Sequence, residues 1–201
     1  MGRPLILFAH GAGAGPAHPF MQSWSRRLSE IGRTVCFEYP YMRRGRRSPD
    51  RLPVLLEAHR EALTDAKAEP DERIVLAGKS MGARVGCHLA LEEPVVALVC
   101  FGYPLQGAGK QPKLRDEVLR ALEVPILFIQ GTRDRLCPLD LLDEVRCRMK
   151  APSELFIVEA GDHSLQVTRT HLKQSGESQE DVDERIFAAV QRFLGLSLIH
   201  I

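Results

Sequence analysis

Arg73-Ile74-Val75-Leu76-Ala77-Gly78-Lys79-Ser80-Met81-Gly82-Ala83-Arg84-Val85 is the stretch on which the fold turns. Ile74 to Ala77 is a continuous apolar run, the pattern of a strand buried on both faces of a parallel sheet. Val85 and Leu89 then recur at helical spacing. Between them lies Gly78-x-Ser80-x-Gly82, so the chain passes from strand to helix over a sharp turn with a serine at its apex. Glycines suit both flanks, because side chains two residues away on either side of the serine would collide in such a turn.

Working outward, the same strand–helix alternation fills the chain. Strand-like runs occur at Leu5–Ala9, Thr34–Glu38, Arg73–Ala77, Val95–Phe101, Ile126–Gln130 and Glu154–Glu159. Amphipathic stretches separate them: Phe20, Trp24, Leu28 and Ile31; Leu55, His59, Ala62 and Ala66; Val182, Ile186, Val190 and Leu194. Ser178 with Asp181 resembles a capping box at the start of the last stretch, and Gly195 is its expected stop. The pattern predicts an α/β fold with a six-stranded, mainly parallel sheet and helices on both faces. With no repeats, low-complexity tract or linker, residues 1–201 read as one domain.

Composition narrows the function. The 201 residues carry 27 Lys+Arg against 26 Asp+Glu, and 44% are hydrophobic, enough for one sizeable core. That balance excludes a disordered chain and argues against a generic polyanion binder. No apolar run approaches the ~18 residues of a membrane span. The opening run Leu5–Ala9 lacks a cleavage site, and Ile6 stands where a myristoylation signal needs Ser or Thr. Cys36, Cys87, Cys100, Cys137 and Cys147 form no C-x-x-C pair, so zinc and redox motifs are unsupported and a reducing cytoplasm is the expected compartment. The expectation is therefore no cofactor, no metal, no nucleic acid and no membrane.

Two other strand ends complete a pattern. The fifth run finishes in Gln130-Gly131-Thr132-Arg133-Asp134 and the sixth in Ala160-Gly161-Asp162-His163. Residues just past the carboxyl ends of parallel strands share one sheet edge, where ligands bind. Ser80, Asp134 and His163 should converge there as nucleophile, orienting acid and base, in the chain order Ser…Asp…His. The first strand ends in His10-Gly11-Ala12-Gly13-Ala14-Gly15, small residues that leave backbone N–H groups free to face an oxyanion. The N–H of Met81 and that of Ala12, or failing that Gly13, would form the hole. His10 reads as a brace for this loop. Asp140 belongs to the opening turn of a helix through Leu141, Val145 and Met149, and Asp162 sits too close in sequence to fold back onto His163. His171 lies in a polar stretch far from a strand end.

With these residues in place the sequence resembles the serine hydrolases of the α/β-hydrolase superfamily over nearly its whole length. It is most similar to the small, lidless, dienelactone-hydrolase-like type, with a serine where those enzymes carry a cysteine. Glu38-Tyr39-Pro40-Tyr41-Met42-Arg43-Arg44-Gly45-Arg46-Arg47 also resembles a branch of hydrolase-like proteins that includes a domain of a chromatin-complex subunit. The resemblance implies ester hydrolysis, or thioester hydrolysis, through an acyl-enzyme, on a small-molecule substrate. The alternative it implies is a catalytically weak scaffold that binds through the same cleft. The family's usual first two strands are missing, and Gly102–Val124 leaves room only for a loop and one helix around Leu114–Leu122, so no cap is expected. Arg43, Arg44, Arg46 and Arg47 are candidates to gather an anionic substrate.

Nucleotide readings fail on single residues. A P-loop ending in Gly78-Lys79-Ser80 needs glycine at position 73, where Arg73 stands, and a dinucleotide fingerprint from Gly11 and Gly13 needs its third glycine at Pro16. Lys79 beside the serine could contact an anionic acyl group, but the simpler reading is packing or pointing away.

Overall fold

A computed structural model describes residues 2–107 and 113–199. Six strands form one sheet: β1 (Leu5–Ala9), β2 (Arg33–Phe37), β3 (Ile74–Lys79), β4 (Ala97–Phe101), β5 (Ile126–Gly131) and β6 (Ser153–Val158). Their order is β2-β1-β3-β4-β5-β6, and every neighbouring pair is parallel, so "mainly parallel" becomes wholly parallel. Every strand lies within about two residues of its expected run.

Alternation along each strand builds two cores. Leu5, Leu7 and Ala9 face one side of β1, with Leu55, Leu63, Val85, Leu119 and Leu142 from helices α3 (Leu52–Ala66), α4 (Met81–Leu89), α5 (Glu117–Ala121) and α6 (Leu139–Arg146). Ile6 and Phe8 face the other, against α1 (Pro19–Ile31) and α8 (Gln179–Ile199). The short helices α2 (Pro40–Arg43) and α7 (Arg169–Ser175) complete the set. Pro19, Pro40 and Pro53 sit in the opening turns of α1, α2 and α3, where the missing N–H costs nothing.

One local expectation, the stop at Gly195, changes. The stretch Thr168–Ser178 holds a helix, α7, because Thr168 accepts from the His171 N–H and Gly176 closes the end at φ +72°. Helix α8 begins with the Ser178–Asp181 box, whose two reciprocal bonds measure 2.7 and 3.2 Å. It runs through Gly195 to Ile199, since a helical glycine costs only about 1 kcal/mol and Phe193 and Leu194 are anchored in the core. Between β4 and β5 the described residues hold α5 and a single bridge, Gln106 to Leu114, with no cap; residues 108–112 of that segment lie outside them.

β1 is the point of reversal, with β2 on one side and β3 on the other. Loops leaving β1 and β3 therefore diverge and open a crevice above the sheet's carboxyl edge. Beneath it Phe101 is fully buried and meets Phe8, Phe20 and Trp24 at ring-centroid distances of 5.7, 6.0 and 4.7 Å. Phe101→Ala should cost about 3–5 kcal/mol in denaturant unfolding, whereas Leu91→Ala, at a site 46% exposed, should stay within about 0.5 kcal/mol. Equal losses would contradict this account of the core.

Candidate active site

Ser80 stands between β3 and α4 at φ 51°, ψ −112°, a conformation that side chains rarely hold. Two close approaches enforce it. A Cβ on Gly78 would lie 2.3 Å from the Ala83 nitrogen, and one on Gly82 would lie 2.4 Å from the Ala9 carbonyl oxygen. Only glycine lets α4 press this tightly on β3 and β1. The Ser80 N–H donates to the Phe101 carbonyl at 3.0 Å, which ties the turn to β4.

The three expected residues meet. The Ser80 hydroxyl lies 2.8 Å from His163 Nε2, and His163 Nδ1 lies 2.7 Å from Asp134 Oδ2. Asp134 has its side chain wholly buried. Its other oxygen accepts from the Leu136 N–H at 2.8 Å, and the Gln130 amide donates to Oδ2. An ionised carboxylate with every contact a donor obliges Nδ1 to carry the ring proton, which leaves Nε2 to accept from Ser80. Asp140 is exposed on α6, and Asp162 spends Oδ1 on the Ser164 and Gln166 N–H groups. His171 sits on α7.

The β1 loop is braced as well as close. A Cβ on Gly11 would come 3.6 Å from the Ser80 Cβ, so backbone and serine are near neighbours. His10 is fully buried: its Nδ1 donates to the Gly11 carbonyl at 2.7 Å, and its Nε2 accepts from the Tyr39 N–H at 3.1 Å. Burial lowers its pKa, so it holds this neutral form. The Tyr41 hydroxyl donates to the Ala12 carbonyl at 3.0 Å. Tyr39 and Tyr41 are thus buried struts of the loop. Among the described residues the N–H groups of Ala12 and Met81 have no protein acceptor, Met81 being the first residue of α4.

Two contributors escaped the sequence reading. Lys79 points inward: its Nζ donates to the His163 carbonyl at 2.5 Å and lies 5.8 Å from the Phe20 ring centre. Burial pushes its pKa down to about 8, against the pull of Asp134 and Asp162. Alternation along β3 was the available signal, since Val75 and Ala77 face α1 and Lys79 follows them. Gln130 ends the fifth run with no role assigned from sequence; its amide serves Asp134 and its oxygen accepts from the Tyr103 N–H at 3.0 Å.

The arginine stretch lies to one side. Arg43, Arg44, Arg46 and Arg47 are all exposed; Arg43 donates to the Glu38 carbonyl, and Arg44 and Arg46 both bind Asp50. The cavity beside Ser80 and His163, about 680 Å³, is walled instead by Phe20, Met21 and Trp24. Among the described residues no group of His, Cys, Asp and Glu side chains is placed to hold a metal ion, and no helix is long and apolar enough to cross a membrane.

A family model described as an alpha/beta hydrolase domain matches residues 2–195. The chain belongs to that family. Its α/β-hydrolase fold is similar to Est1E from Butyrivibrio proteoclasticus, solved with ferulic acid, at 16% identity and TM-score 0.69, covering 98% of this chain and 90% of that one. A dienelactone hydrolase from Anabaena variabilis matches at 20% identity and TM-score 0.63, over 82% and 78%. Protein sumv-2 of Caenorhabditis elegans is 28% identical over 132 residues, 65% of this chain but only 11% of that protein's length.

Strain at the serine is measurable. Ser80→Gly removes the Cβ that makes φ 51° costly, about 1–3 kcal/mol, and adds back less than about 1 kcal/mol of chain entropy. It should melt about 2–4 °C above Ser80→Ala. Gly82→Ala, driven against the Ala9 carbonyl, should lose about 1–3 kcal/mol. A glycine variant that melts at or below the alanine variant would remove strain from the account.

Proposed function

We propose that this chain is a serine hydrolase acting on carboxylic esters, with thioesters as close substitutes. The observation that carries the proposal is the continuous relay from Ser80 through His163 to buried Asp134, at 2.8 and 2.7 Å. Ser80 attacks the acyl carbonyl while His163 Nε2 takes its proton. Asp134 holds the imidazole and stabilises its charged form. The N–H groups of Met81 and Ala12 receive the oxyanion, and their lack of other acceptors supports that role. His163 then protonates the leaving alcohol, and water activated by the same nitrogen hydrolyses the acyl-enzyme. Lys79, through the His163 carbonyl, is a positioning residue.

Esterase-like neighbours support the substrate class, and ferulic acid in Est1E supports a small ligand. Residues 1–201 are read as one such domain, both cores resting on the same sheet. A reducing, cytoplasmic setting belongs to the same reading, supported by five free cysteines, of which Cys87 and Cys100 lie 3.8 Å apart as thiols.

The test is hydrolysis of short-chain aryl esters by the purified chain. Ser80→Ala should abolish turnover, and His163→Ala should lower kcat/KM by about 10²–10⁴-fold. Asp134→Asn should cause a large loss, while Asp140→Asn leaves the rate unchanged. No turnover by the folded protein across the panel, or equal turnover by Ser80→Ala, would defeat the reading.

A further inference from the structure

Ser80 stands at the junction of two cavities. One is the apolar chamber that contains His163. The other, about 290 Å³, is shared by Ser80, Met81 and Ala12 and lined in part by Arg84 and Arg115. Arg84 lies one helical turn beyond Ser80, on the same face of α4, at a spacing of about 5–6 Å between Cβ atoms. Its N–H donates to the Ser80 carbonyl at 3.1 Å. Arg115 is delivered from the β4–α5 connection, with its N–H on the Leu105 carbonyl (2.8 Å) and its carbonyl on the Tyr103 hydroxyl (3.1 Å).

Both arginines are partly buried, and among the described residues neither guanidinium has an acceptor. Arg27, Arg60 and Arg146, buried to a similar class, are each paired with a carboxylate. Withdrawing a cation from water without a partner is costly, and a second cation beside it adds repulsion. Burial first, then the Arg115 charge, holds Arg84 below the usual arginine range. Asp50 also lines this cavity, but Arg44 and Arg46 occupy its two oxygens. The exposed arginine stretch thereby cancels the carboxylate that, among the described lining residues, would repel an anion here.

Direction follows from the chemistry at His163. Its Nε2 must reach the leaving alcohol, so the alcohol departs on the His163 side, toward Phe20 and Trp24. The acyl chain then extends the other way, past the oxyanion site. We propose that Arg84 and Arg115 form a carboxylate subsite for the acyl group, and that the site prefers half-esters of dicarboxylic acids with a few methylenes between the carbonyls. This rests on the serine-hydrolase reading above. A planar guanidinium offers paired donors that match a carboxylate, and two of them can grip both oxygens.

The experiment compares mono-p-nitrophenyl adipate with p-nitrophenyl hexanoate, which share chain length and leaving group and differ in the terminal charge. Arg84→Gln and Arg115→Gln should each lower kcat/KM for the adipate by about tenfold to a hundredfold. Hexanoate turnover should change less than about threefold. Arg84→Lys, which keeps the charge and loses the fork, should fall between, and added salt should depress adipate turnover alone. Arg148→Gln, an exposed charge just beyond the end of α6, controls for net charge. Melting curves identify any variant that fails to fold, and the remaining arginine variant then decides. Equal losses on both esters, or no loss on the adipate, would overturn the subsite while leaving the hydrolase intact. Turnover of neither ester by the wild-type chain would overturn both.

Discussion

The tight seating of α4 on the ends of β1 and β3 is the constraint from which the rest of the site follows. Gly78 and Gly82 allow backbone to approach backbone where any Cβ would lie within about 2.4 Å of another main-chain atom. That approach bends the chain hard enough to force Ser80 to φ 51° and to raise its hydroxyl above the sheet. It also leaves the first N–H of α4 facing the same space, next to the β1 loop. One packing contact therefore sets the proposed nucleophile, half of the proposed oxyanion site and the entrance of both cavities. The strain is local and is offset by the fully buried strands β1 and β4 on either side of β3.

Around this turn, charge and hydrogen bonding are arranged in one direction. Asp134 is buried with donors on both oxygens, so His163 can have only one tautomer in the relay. His10 is locked by the Gly11 carbonyl and the Tyr39 N–H, and Tyr41 holds Ala12, so the opposing loop is fixed without any charged group. Lys79 adds an ammonium near the relay and spends it on the His163 backbone. Rigid support of this kind is what electrostatic stabilisation of a transition state requires, because donors that are already aimed need no reorganisation.

How much was legible in the sequence depends on whether the signal is local. Strand runs, the glycine-flanked serine and the Asp134 and His163 strand ends are set by period, by steric demand and by the shared edge of a parallel sheet. Each can be read from neighbouring residues, and the three side chains do meet. Strand order could not be read this way, because the period of a run marks it as a strand without saying which strand lies beside it. Arg84 and Arg115 were invisible as a pair: 31 positions separate them, and only the fold of the β4–α5 connection brings them to one cavity. The dense arginine stretch drew attention because it is contiguous, yet two of its members are occupied by Asp50. Gly195 shows the converse error, a local stop signal overridden by the anchoring of Phe193 and Leu194.

The central claim is that Ser80 is chemically activated by its surroundings, and a fluorophosphonate probe tests it without any knowledge of the natural substrate. An unassisted serine hydroxyl stays protonated and does not react with such reagents at neutral pH. Intact mass measurement after labelling should show one adduct per chain, and peptide mapping should place it on Ser80. A folded chain that takes up no label, or takes it up at another residue, would contradict the account.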